Sequence, residues 1–262
     1  MALSPVIPVL AVAAAALTIL LFFRVTRYSR VLFWAATCLL LAVLFHADAW
    51  KRPISSDGYY YYVWLVSAWF DHDLDLTDNY GAGGNHYGFG STNTGYADNM
   101  FPVGCALMWL PFFVAGQCLR LLPGLRVDAV AGMSLLEQRA TMVGTLVYGI
   151  AGLILLFRVC KRTSSERTAF LSLSCLLWGT FLAYYLTSRP SMSEGCSFFT
   201  QCLFLFLVVR ARSDASLKEC FVLGLVLGIS AAVRYHNLAS LCLVAPVFVG
   251  GRRTRGWGGP VD

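Results

Sequence analysis

Apolar residues run along most of this chain in long blocks, and polar residues are confined to the stretches between them. The blocks at 5–23, 31–47, 140–157, 169–186 and 196–209 are near the roughly 20 residues that a helix needs to cross a hydrocarbon core. The block at 220–250 is interrupted by Arg234, Tyr235, His236 and Asn237, which predicts two helices meeting at a polar turn. A further apolar piece, 101–118, is split by Pro102, Gly104, Pro111 and Gly116. The predicted fold class is all-α: a polytopic transmembrane helical bundle of about seven spans, plus this broken piece as a re-entrant or juxtamembrane helix.

Composition agrees with that pattern. Of 262 residues, 58% are hydrophobic and only 13% charged, against about 25% charged in soluble domains. The mean hydropathy is +0.65. A disordered chain, a nucleic-acid partner and an ordinary soluble enzyme are thereby excluded as first readings. The net charge of +6 matters through its placement. Arg24, Arg27 and Arg30 follow the first block; Arg158, Lys161, Arg162 and Arg167 lie between the third and fourth. Arg210, Arg212 and Lys218 follow the fifth, and Arg252, Arg253 and Arg255 come near the end.

Short loops rich in Lys and Arg stay on the cytoplasmic side, and all four clusters share one side only if 101–118 does not cross. Residues 48–138 then form one long extracytoplasmic loop. Three regions result: 1–30, a helix and cytoplasmic loop; 31–250, the transmembrane module; and 251–262, a cytoplasmic basic tail. Most of the nine cysteines lie in apolar segments and none has zinc-ligand spacing, so they read as small buried side chains. Cys105 and Cys118 both fall on the oxidising side, where a disulfide between them is chemically allowed.

Candidate chemistry gathers in the external loop. Ser55 or Ser56 before Asp57 reads as a helix N-cap, and Tyr59, Tyr62, Val66 and Trp69 recur at helical spacing, suiting a face on the membrane surface. Asp57 is either a capping acid or a catalytic carboxylate near the headgroups, where a lipid-borne substrate would react. Asp71, Asp73, Asp75 and Asp78 alternate like the start of a calcium loop, but Leu76 and Ala82 replace the required Gly and Glu, so an EF-hand is rejected. A looser cation site and a solvated turn stay open there. Residues 81–96, rich in Gly, Asn, Ser and Thr, suggest a flexible flap over a site. Arg189 and Arg234, on the same face as Asp57 under this topology, either snorkel to headgroups or bind phosphate through forked donors.

These features resemble the polytopic, lipid-phosphosugar-dependent glycosyltransferases of the GT-C superfamily, in particular bacterial relatives of protein O-mannosyltransferases and aminoarabinose transferases. Ser56-Asp57-Gly58-Tyr59-Tyr60-Tyr61 followed by Asp71-His72-Asp73-Leu74-Asp75-Leu76 looks like the family's first external loop. The segment from Asn99 to Pro111 is similar to its proline-containing re-entrant segment, and Glu137-Gln138-Arg139-Ala140 to the start of the next span. The chain departs from the pattern in having Gly58 after Asp57 and Glu194 where an aspartate is common.

The resemblance implies inverting transfer from a polyprenyl-phosphate-linked sugar donor at the extracytoplasmic face of a bacterial inner membrane, with membrane lipid as partner. Asp57 would be the general base, and Arg139, Arg189 and Arg234 would bind the donor phosphate. Tyr59, Asp73, Asp75, Glu194, His236 and Asn237 would be secondary or acceptor-contacting residues. The cofactor is left unknown, a divalent cation being one option. The same residues leave open a transporter or flippase of a lipid-linked substrate and a truncated, non-catalytic relative.

Overall fold

The computed structural model describes residues 50–120, 132–211 and 215–244. The blocks predicted at 5–23 and 31–47, the region 1–30 and the tail 251–262 lie outside the described residues. Among the described residues all regular structure is helical, with one isolated antiparallel bridge, Ser91 to Ala97. The elements are α1 (Asp57–Val66), a wider π-type turn (Ser67–Asp71), α2 (Thr77–Gly83), α3 (Gly104–Arg120), α4 (Leu135–Cys160), α5 (Glu166–Gly179), α6 (Leu182–Thr187), α7 (Glu194–Arg210), α8 (Leu217–Val233) and a 3₁₀ segment (Tyr235–Leu243).

Local chemistry sets several of these starts. Ser134 Oγ accepts from Glu137 N while the Glu137 carboxylate accepts from Ser134 N, a reciprocal cap on α4. Ser216 and Glu219 repeat it on α8, and Ser165 caps α5 through Thr168 N. With 26 residues, α4 is about 39 Å long at 1.5 Å per residue. Among the described residues it is the one helix long and apolar enough to cross a membrane, and α3 is a shorter apolar helix.

Two long helices, α3 and α7, pack directly on α4, and α8 packs on both of them. α3 runs antiparallel to its first half: Trp109 Nε1 donates to Thr145 Oγ1 at 2.8 Å, Tyr148 OH donates to the Met108 carbonyl at 2.8 Å, and Phe112 lies on Gly144. α7 runs parallel to α4, with Gly195 against Thr145 and Phe198 against Gly152. α8 returns antiparallel to α7, pairing Ser230 with Thr200 and stacking Leu223 and Leu227 on Phe204 and Val208. Gly104 abuts the backbone of Ala232 and Val233, so α3 begins against the end of α8.

The structure alters four expectations. The piece at 101–118 is one continuous helix from Gly104 on, running through Pro111 and Gly116. Cys105 and Cys118 are both free and both on α3, some 20 Å apart along its axis, which excludes a disulfide between them. The 169–186 block breaks into α5 and α6 at Thr180, whose backbone turns extended while its Oγ1 donates to the Leu176 carbonyl at 2.6 Å and accepts from Leu182 N. The second half of 220–250 continues as the 3₁₀ segment after Arg234 turns extended, and 245–250 lie outside the described residues.

α1 is also not a surface anchor. Tyr59, Tyr62 and Val66 are buried, and only Trp69 of that predicted face is exposed. The 76–101 segment covers one side of α1 through Tyr60 and Phe101, while Phe113 of α3 and the Gly132 carbonyl receive Tyr62.

A Cβ at position 104 would overlap the α8 backbone, which cannot move aside as a side chain can. Gly104→Ala should therefore cost about 1–3 kcal/mol, the usual range for overpacking, read as a lower thermal midpoint of the detergent-solubilised protein. Alkali tests the aromatic cluster. Burial raises the Tyr80 pKa above its ordinary value, so the folded protein keeps this phenol protonated where the unfolded chain, near pH 10, would release the proton. That contribution is complete below about pH 10 and falls away as pH rises through the folded value. Denaturant titrations across this range should show declining stability, and Tyr80→Phe should flatten the decline.

Candidate functional site

One end of the bundle collects the polar groups. Ile54 N donates to Gln138 Oε1 at 2.5 Å, and Trp50 Nε1 donates to the Thr187 carbonyl at 3.1 Å, so the strand of chain leading into α1 is tied to α4 and to the α6–α7 connection. Gly58 faces Ser191, where an added Cβ would lie 2.5 Å from Ser191 Oγ. Arg234 and Glu194 meet at the same end. The opposite end carries the Lys161–Glu166 pair and Arg162, which donates to the Val209 carbonyl.

Asp57 is the first residue of α1 and is half-buried. Ser56 occupies the cap position, but its side chain makes no cap bond to a backbone N–H. With φ 56° it lies in the left-handed region, a strained choice for serine, and its Oγ donates to Asp57 Oδ1 at 3.3 Å. Tyr87 OH donates to the same oxygen. Because its proton is committed to that carboxylate, the Tyr87 pKa is raised. The glycine-rich segment expected as a flexible flap is thus folded against α1, with Tyr87, Phe89 and Phe101 packed around the fully buried ring of Tyr60.

Beside the start of α1 is a cleft of about 370 Å³, lined by Arg52, Pro53, Ile54, Ser55, Met142, Ser188, Arg189, Pro190 and Ser191. Arg52 and Arg189 are exposed, and neither has an ion-pair partner among the described residues. Two unpaired guanidiniums at one opening favour an anion with several oxygens, such as phosphate. Arg139 does not line this cleft; its Nε donates to the Trp50 carbonyl at 2.8 Å, clasping the entry segment.

Arg234 is not free to meet a ligand either. Its Nη2 lies 2.9 Å from Glu194 Oε1, with the two side chains 30% and 9% exposed. Glu194 Oε2 is buried and has no hydrogen-bond partner among the described residues. Ser193 Oγ donates to Tyr61 OH at 3.1 Å, one turn along α1 from Asp57.

The other expected site residues have structural work. Tyr59 OH donates to the Asn79 carbonyl. Asp73 accepts from Ser67 Oγ and Asp75 N, and Asp75 accepts from the hydroxyl and N–H of Thr77 and from Ala97 N, which hold its carboxyl below the ordinary value. These acids are turn formers, and among the described residues no three His, Cys, Asp or Glu side chains are placed to hold a metal ion. Asn237 is buried and exchanges hydrogen bonds with Ser197, anchoring the turn after α8, whereas His236 is exposed.

Three site residues escaped sequence reading. Arg52 lies three residues before Ser55 of the Ser-Ser-Asp run, a proximity that could have marked it. Tyr87 and Ser191 lie within stretches the sequence marks, the 81–96 flap and the run around Arg189, but nothing local singles out those two residues.

The Glu194–Arg234 pair permits a direct test. Breaking a buried pair leaves an uncompensated charge; with Arg234 partly exposed, Arg234→Met should destabilise by about 2–3 kcal/mol. The double variant with Glu194→Gln should recover part of that loss, as a double-mutant cycle on thermal unfolding would reveal. Comparison with protein-family models, characterised proteins and solved structures finds no match to this chain.

Proposed function

We propose that this chain is a multi-pass membrane glycosyltransferase similar to the GT-C enzymes, moving a sugar from a polyprenyl-phosphate donor to an acceptor at the extracytoplasmic face. The observation that carries this reading is the cleft at the start of α1, where two unpaired arginines lie next to the Asp57 segment. Large apolar side chains left exposed on α3, α4 and α8, including Leu107, Leu110, Val143, Val147, Phe221 and Leu225, support a bilayer around the bundle. Such surface is costly in water and ordinary in lipid. On this reading the chain crosses the bilayer seven times, with α3 covering only the outer half of α4.

The acceptor's O–H proton passes to the Asp57 carboxylate as its oxygen bonds to the anomeric carbon. The bond from that carbon to the phosphate oxygen breaks in the same step, and the phosphate leaves with the electron pair from the opposite face, inverting the centre. Arg189 and Arg52 carry the growing negative charge, the kind of electrostatic stabilisation that supplies much of an enzyme's rate. Arg234 and Arg139 act indirectly, Arg234 by holding Glu194 and Arg139 by holding Trp50.

Membranes containing the chain, incubated with a radiolabelled polyprenyl-phosphate sugar, should show transfer. Asp57→Asn should reduce it by roughly 10²- to 10⁴-fold, the usual share of a general base, without changing the thermal midpoint. Arg189→Ala should raise the donor KM by about tenfold or more, as expected for a lost bond to a charged group. Full activity in Asp57→Asn rejects this assignment.

A further inference from the structure

The carboxylate assigned as base is already engaged by another part of the chain. Tyr87 is 48% exposed, so the core does not require its ring, yet several contacts aim it. Its backbone N–H donates to Tyr60 OH at 2.9 Å, and its ring stacks on that of Tyr60 with centroids 4.9 Å apart and planes at 24°. Phe101 lies nearly parallel at 5.9 Å. Gly84 and Gly88 flank it with φ of 89° and 65°, values open to glycine and strained for most other residues. A pinned aromatic base therefore carries one solvent-exposed phenol to Asp57 Oδ1, with Ser56 Oγ 3.3 Å from the same hydroxyl.

A hydroxyl donating to a carboxylate is the arrangement a general base makes with the group it will deprotonate. Resting on the reading of Asp57 as base, we propose that Tyr87 occupies the acceptor's place in the unliganded protein, as an intrachain mimic that closes the site until a neutral hydroxyl compound displaces it. Charge narrows the acceptor class. Arg52 and Arg189 at the adjoining cleft repel a protonated amine and leave a neutral alcohol or phenol unopposed. The displaced phenol keeps water as its partner, since half of the residue already faces solvent, so opening exposes no buried group.

The experiment uses the full chain in membranes. A water-soluble carbodiimide with glycinamide labels accessible carboxylates, and peptide mass spectrometry reads the rate at Asp57. Tyr87→Phe keeps the ring stack and removes the hydroxyl, so Asp57 should label about tenfold faster than in the unaltered protein, the effect of one hydrogen bond to a charged group. Labelling of the exposed Asp73 should not change, which controls for misfolding. In Tyr87→Ala, added p-cresol should slow Asp57 labelling again, whereas p-xylene, lacking the hydroxyl, should not. Equal Asp57 rates in the unaltered protein and Tyr87→Phe would overturn the proposal. So would equal protection by p-cresol and p-xylene, or protection by neither. In the sugar-transfer assay, Tyr87→Phe should lower the acceptor KM several-fold, and an unchanged or higher KM also counts against the mimic. If the labelling pattern holds but the unaltered protein transfers no sugar, the transferase reading fails and Tyr87 stands as the gate of a hydroxyl-binding site.

Discussion

A single buried carboxylate holds together the helix pair on which the rest of the structure is built. Glu137 is fully buried, yet both its oxygens find partners: one accepts from Ser134 N at 3.0 Å, closing the cap of α4, while the other accepts from Gln117 at 2.8 Å and Arg120 at 3.1 Å at the end of α3. A buried charge is tolerable only when paired and hydrogen-bonded. Meeting that demand fixes the antiparallel register of α3 on α4. Trp109 then reaches Thr145, and Gly104 reaches the end of α8.

That register decides what one end of the bundle can do. With α7 parallel to α4 and α8 antiparallel to α7, the start of α7 and the end of α8 come to one level, beside the first half of α4. The entry segment 50–56 is laced across them by Trp50, Ile54 and the clasp from Arg139. Polar groups that a bilayer would penalise are thereby paired with one another: Glu194 with Arg234, Asn237 with Ser197, Tyr61 with Ser193. Arg52 and Arg189, without ion-pair partners among the described residues, line the cleft. The division between satisfied and unsatisfied cations separates structural arginines from those available to a ligand.

The helical class, the long apolar run of α4 and the polar interruption at Arg234–Asn237 were legible in the chain, because each depends on the composition of a continuous stretch. The break between α5 and α6 was not. It falls where Thr180 turns extended and its hydroxyl accepts from Leu182 N to start α6, a local detail that mean hydropathy averages away. The aromatic run at 59–62 misled for a related reason: its spacing fits a surface helix, but a loop more than twenty residues downstream folds back to bury it.

From its order of residues alone, this protein determined its helical character, its shortage of charge and the place of Asp57 at a helix start. Those are properties of short-range periodicity and of transfer free energies that add residue by residue. Only the tertiary structure decided which charges are spent. Arg234 is consumed by Glu194, Asp73 and Asp75 by turns, and Asp57 by Tyr87, while Arg52 joins Arg189 at an opening. Pairing of this kind depends on distances of about 3 Å between residues far apart in the chain, and those distances exist only once the helices have packed.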